Sequence, residues 1–187
     1  AASVLYTWQA LTPPAVTLLH TSDRKTADDP AFSKALDDAT GLWFAGGDQE
    51  KVAAAYRGTA TAKAFHALHA RGGVVGGTSA GAAVLSDPMI TGGQGVATVG
   101  PGLGFLPGFV VDQHFTERKR LARLQGVIAD RPALVGLGID EGTAVVAQRR
   151  TLRVIGAGTV SVVVAKGGGR PPAVQVAKAG DLFDAPQ

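Results

Sequence analysis

The sequence has no cysteine and one methionine, and only 18% of its residues are charged. The missing cysteines exclude disulfides and thiolate chemistry and leave the compartment open between cytoplasmic and secreted. A net charge of +3 does not make a nucleic-acid protein. That function needs clustered basic residues interleaved with aromatics, and this chain has few of either. No apolar run approaches the ~20 residues of a membrane helix, so no membrane partner is expected. What is abundant is glycine: 26 of 187 residues, without a collagen-like period and placed at the ends of apolar runs, where they read as turns. Length and a hydrophobic share of 45% fit one domain over residues 1–187 with a sizeable core.

Val4, Leu5, Trp8 and Leu11 recur at helical spacing, so residues 2–11 read as an amphipathic helix closed by Pro13-Pro14. No strand precedes that helix, and an N-terminal strand is expected to be missing. Residues 15–20 read as a strand. Asp28-Asp29-Pro30 reads as a helix start, with Phe32, Ala35, Leu36 and Ala39 on one face. Apolar strands over residues 41–45, 74–77, 109–111 and 134–139 alternate with helical stretches over 49–57, 61–71 and 117–129. Strands that are apolar throughout, separated by helices, imply a parallel sheet covered on both faces. The expected fold is therefore α/β, three-layer α/β/α with a mostly parallel sheet. Residues 85–107 read as a glycine-rich loop near the site, and from Thr143 consecutive short strands imply an antiparallel C-terminal tail.

The stretch Val74-Val75-Gly76-Gly77-Thr78-Ser79-Ala80-Gly81-Ala82-Ala83 is a strand running abruptly into a helix. A serine within Gly-x-Ser-x-Gly at such a turn is a nucleophile elbow, and ligands in such folds sit beyond the carboxyl ends of the strands. Other strand ends carry what a serine nucleophile needs. His114, after the strand at 109–111, is a candidate general base. Glu141 or Asp140, after the strand at 134–139, can orient the imidazole; strand alternation lets only one of them face it. The backbone N–H of Gly47, with that of Ala80, can form an oxyanion hole. The order serine, histidine, acid differs from that of α/β-hydrolases. It looks instead like the class I glutamine amidotransferase architecture with serine in place of cysteine.

Around His114 lies a second cluster. Arg118, Arg120 and Arg123 are suited to gripping carboxylates, with Arg120 and Arg123 at i,i+3 on the expected helix. Asp112, Gln113 and Gln49 can complement a cationic or amide group. His66-x-x-His69 lacks a third ligand for a metal. His66, His69 and His20 read as surface or packing residues, and no metal or cofactor is expected.

Together, Gly46-Gly47-Asp48-Gln49, Gly77-Thr78-Ser79-Ala80-Gly81-Ala82, the run Gly102-Leu103-Gly104-Phe105-Leu106-Pro107-Gly108, Asp112-Gln113-His114-Phe115 with its arginines, and Gly138-Ile139-Asp140-Glu141 resemble the cyanophycinases of serine peptidase family S51. The resemblance spans roughly residues 42–146. It implies a Ser-His-Glu triad on Ser79, His114 and Glu141, and a substrate pocket on Gln49, Asp112, Gln113, Arg118, Arg120 and Arg123. The implied reaction is exopeptidase hydrolysis of cyanophycin, a poly-aspartate bearing arginine on its side chains, to β-Asp-Arg dipeptides. The partner is then a peptide or polymer rich in Asp and Arg, and a homodimer is suggested. Against that family its first strand is expected to be missing, and the segment 90–100 is short. Alternatives are an aspartyl dipeptidase or isoaspartyl peptidase of the same family, and a catalytically silent homologue.

Overall fold

The computed structural model describes Trp8, Leu11 and residues 15–184. The expected helix over residues 2–11 thus lies outside the described residues apart from Trp8 and Leu11. The chain is α/β. Two parallel strands, β1 (Gly41–Phe44) and β2 (Val74–Gly77), pair with Phe44 opposite Gly77. They are connected through α2 (Gln49–Tyr56) and α3 (Ala60–Ala70), after an earlier short helix, α1 (Arg24–Asp28). Asp48 caps α2 by accepting from the N–H groups of Glu50 and Lys51. Thr59 caps α3 through Ala62, and α3 leaves through Gly72 at φ +96°. Phe44 meets Phe65 edge-on, with ring centroids 5.2 Å apart, in a core that includes Tyr56, Leu68 and Val84.

A second parallel pair follows, β5 (Phe109–Gln113) beside β6 (Val135–Ile139), linked by α5 (Leu121–Asp130). β9 (Thr159–Val164) lies antiparallel against β6, and β10 (Ala173–Lys178) lies outside it. β7 (Thr143–Gln148), β8 (Thr151–Gly156) and β11 (Leu182–Asp184) form a separate antiparallel sheet. The antiparallel tail is as expected, though β10 and β11 are additions to it. Between the two halves, α4 (Ala80–Ala83) leaves β2 and packs against β5.

Four expectations need correction. Residues 15–20 form no strand: no described residue pairs with them, and a strand without a neighbour is not stable. The helix expected from Pro30 lies earlier, as α1. Asp23 caps it through Lys25 and Thr26, while Asp29, extended at ψ +119° as a residue before proline tends to be, ends it. Residues 30–39 then hold only a turn and a short 3-10 segment, Lys34–Leu36. The loop expected over 85–107 contains a hairpin, β3 (Met89–Gly92) with β4 (Thr98–Gly100). Finally, α5 starts at Leu121, not at Glu117, because Lys119 has φ +52° and interrupts the helical path.

Candidate active site

Ser79 sits between β2 and α4 at φ +54° and ψ −118°, a backbone conformation that L-residues rarely hold without surrounding constraint. The constraint is the close approach of the backbone on both sides. A β-carbon at Gly77 would overlap the carbonyl of Gly81, and one at Gly81 would overlap the carbonyl of Phe44. Only glycine permits this turn.

The turn delivers the Ser79 hydroxyl to 2.9 Å from His114 Nε2. The opposite ring nitrogen, Nδ1, lies 2.6 Å from Glu141 Oε1. An ionised carboxylate only accepts, so Nδ1 carries the hydrogen and Nε2 is left to accept from the serine. The His114 side chain is 23% exposed and that of Glu141 58%, so the relay opens to solvent at its acid end. His114 is itself left-handed, with φ +49°. Asp140, the competing acid, faces elsewhere: it accepts from the N–H and hydroxyl of both Thr116 and Thr159. Burial pushes its pKa up, but those four hydrogen bonds together hold it below the ordinary carboxylate value.

Gly47 has φ +142° and follows β1 at the same end of the sheet as Ser79. Among the described residues, neither the Gly47 N–H nor that of Ala80 donates to a protein acceptor.

The basic cluster is arranged differently from a simple row of carboxylate grips. Asp112 is 1% exposed and takes Arg123 on both of its oxygens. Arg120 reaches the same carboxylate at 3.2 Å and also the backbone and side-chain oxygens of Gln113. Arg123 continues to the carbonyl of Gly93, in the turn between β3 and β4. Burial lowers the pKa of Arg120; Asp112 opposes this, while Arg123 and Arg118 add to it. The Arg118 guanidinium makes no hydrogen bond or ion pair among the described residues. It lines, with Arg120, Arg123, Gly93 and Gln94, a hollow of about 360 Å³. Gln49 donates its amide to the carbonyls of Ile90 and Thr91, 3.0 and 2.9 Å away, and so holds the hairpin down.

Of the residues singled out in sequence, Ser79, His114 and Glu141 thus come together. Arg118, Arg120 and Arg123 share one hollow, Asp112 and Gln113 are bound to arginines, and Gln49 is bound to the hairpin. Gln94 and the hairpin turn were hidden by the glycine-rich run, whose pattern shows no strand. His66 stacks on Phe105 at 4.3 Å, and no metal-binding group occurs among the described residues.

The family model "Peptidase family S51" matches residues 4–155. The chain belongs to peptidase family S51. It is 38% identical over 157 residues to a cyanophycinase of Synechococcus elongatus, covering 79% of this chain and 49% of the relative. It is 36% identical over 155 residues to that of Geminocystis herdmanii, covering 78% and 57%. The chain therefore spans about half the length of these S51 relatives. A crystal structure of a peptidase from an acI-B1 actinobacterium superposes with a TM-score of 0.69 at 27% identity, covering 87% of this chain and 66% of that one.

Proposed function

We propose that the chain is a serine-type peptidase acting on cyanophycin and releasing β-Asp-Arg dipeptides. The observation that carries the reading is the unbroken hydrogen-bonded line from the Ser79 hydroxyl through His114 to Glu141 at a strained strand-to-helix turn. Ser79 Oγ attacks the scissile carbonyl carbon while its proton passes to His114 Nε2. Glu141 holds the ring orientation and balances the imidazolium. The N–H groups of Gly47 and Ala80 receive the oxyanion, each such donor being worth about 2.7–4 kcal/mol to the transition state. His114 then protonates the leaving amine, and water, deprotonated by the same nitrogen, hydrolyses the acyl-enzyme. The relatives' name, cyanophycinase, and the arginine-lined hollow beside the site support the substrate.

A second reading has a specific observation behind it. Asp112 is engaged by Arg120 and Arg123, and among the described residues no carboxylate lines the hollow. The hollow therefore suits a carboxylate, and Arg118 is its unengaged cation. Peptides with a free aspartyl carboxylate, as cleaved by aspartyl dipeptidases, fit it as well. Assaying cyanophycin beside α-aspartyl dipeptides separates the two substrates. Ser79→Ala tests both: it should abolish hydrolysis of either with the fold intact, and unchanged turnover in that variant overturns the peptidase reading.

A further inference from the structure

The loop carrying His114 and the loop carrying Glu141 grip each other reciprocally. Asp140, just before Glu141, accepts from the N–H of Thr116, two residues after His114, at 3.0 Å, and from its hydroxyl. Glu117, on the His114 loop, accepts through Oε1 from the N–H of Glu141 at 3.0 Å. The other oxygen of Asp140 ties both loops to β9 through the N–H and hydroxyl of Thr159, 3.1 and 2.6 Å away. Phe115 closes the arrangement: it is 3% exposed and lies so close over Gly138 that a β-carbon there would meet its ring at 2.6 Å.

A left-handed histidine costs about 1 kcal/mol or more and persists only where its surroundings dictate it. Here the residues immediately after it are fixed, by Phe115 on Gly138 and by Thr116 on Asp140. Glu141 is more than half exposed and follows the strand end on a turn, so nothing in its own side-chain packing fixes its distance from the imidazole. Its backbone is instead held by a side chain from the histidine's own loop.

We infer that Asp140 and Glu117 are positioning residues, a crossed clasp that sets the His114–Glu141 contact. The inference rests on the serine-peptidase reading. An error of about 1 Å in such an arrangement can cost about a hundredfold in rate.

The test uses acylation of Ser79 by a fluorophosphonate probe, which needs no knowledge of the natural substrate, and reads the maximal acylation rate separately from the half-saturating probe concentration. Glu117→Ala should slow acylation about tenfold to a hundredfold with half-saturation and melting temperature unchanged. Glu117→Gln keeps an acceptor oxygen and should restore the rate. In a Glu141→Ala background, Glu117→Ala should cost nothing further, since what it positions is gone. Asp140→Asn, which turns an acceptor into a donor facing Thr116 or Thr159, should slow acylation in the wild type and not in a His114→Ala background. The clasp is overturned if Glu117→Ala leaves the rate unchanged, if its loss persists undiminished in the Glu141→Ala background, or if Asp140→Asn lowers only the melting temperature. If His114→Ala and Glu141→Ala themselves leave acylation intact, the peptidase reading fails instead, and the two failures are told apart.

Discussion

Asp112 and Arg123 face each other with both carboxylate oxygens taken by one guanidinium, and both side chains are nearly removed from solvent, at 1% and 6% exposure. Arg120 shares the same carboxylate. Removing the carboxylate leaves two cations in a half-dry site with nothing to balance them. Asp112→Ala should therefore destabilise the fold by about 3–5 kcal/mol, measured by denaturant unfolding. The double variant Asp112→Leu/Arg123→Met should recover part of that loss, because a desolvated pair exchanged for apolar groups is often near neutral.

The elbow glycines should be intolerant for a different reason. At Gly81 an added methyl would overlap the Phe44 carbonyl, which is backbone and cannot swing aside. Gly81→Ala is expected to unfold the turn and eliminate acylation of Ser79. Gly126 is the control: it lies within α5 with open space around its missing β-carbon. Gly126→Ala should raise stability by about 0.5–1 kcal/mol, read as a higher melting temperature.

Gln49 anchors the hairpin over residues 89–100 by two carbonyl contacts. Gln49→Leu should raise the hydrogen-exchange rate of the hairpin amides by an order of magnitude or so, one lost hydrogen bond being worth roughly 1 kcal/mol. The turn borders the arginine hollow, so KM should rise more than kcat falls. Equal protection of the hairpin in both proteins would show that Gln49 does not hold it.

Acid should weaken the fold through Asp140. Its folded-state pKa is depressed below that of the unfolded chain, so it contributes stability that is present above the unfolded value, about 4, and lost as pH falls through the folded one. Unfolding free energy should decline with falling pH in that window, and Asp140→Asn should flatten the slope there. An unaltered slope in the variant would remove Asp140 from the account.

Ser79, His114 and Glu141 were legible because each stands at a strand end, and strand ends can be read from apolar runs bounded by glycine or polar residues. The elbow was the clearest case, since glycines flanking a single serine mark a turn too tight for a β-carbon on either side. The choice between Asp140 and Glu141 was not legible from residue type: alternation says that one faces away but not which, and the deciding partners, Thr116 and Thr159, are distant in sequence. The three arginines were legible as a cluster, yet the pairing of Arg120 and Arg123 with Asp112 was not, and the left-handed Lys119 that interrupts the helix before them is foretold by no propensity. The hairpin β3–β4 was hidden because its pairing is short and its turn is mostly glycine. The antiparallel placement of β9 against β6 was hidden because pairing between strands is a tertiary choice.

Among the described residues, β2, which leads into Ser79, is hydrogen-bonded as a strand only to β1, whereas β5 and β6, which lead into His114 and Glu141, belong to another sheet. The hydrogen bond between Ser79 and His114 thus crosses a seam bridged by the packing of α4 on β5 and by no strand pairing between β2 and β5 among the described residues. The 2.9 Å separation of Ser79 and His114 is in effect a gauge of how the two halves of the molecule are seated. A substitution far from either residue that slides one half past the other would part Ser79 from His114 while leaving both cores whole.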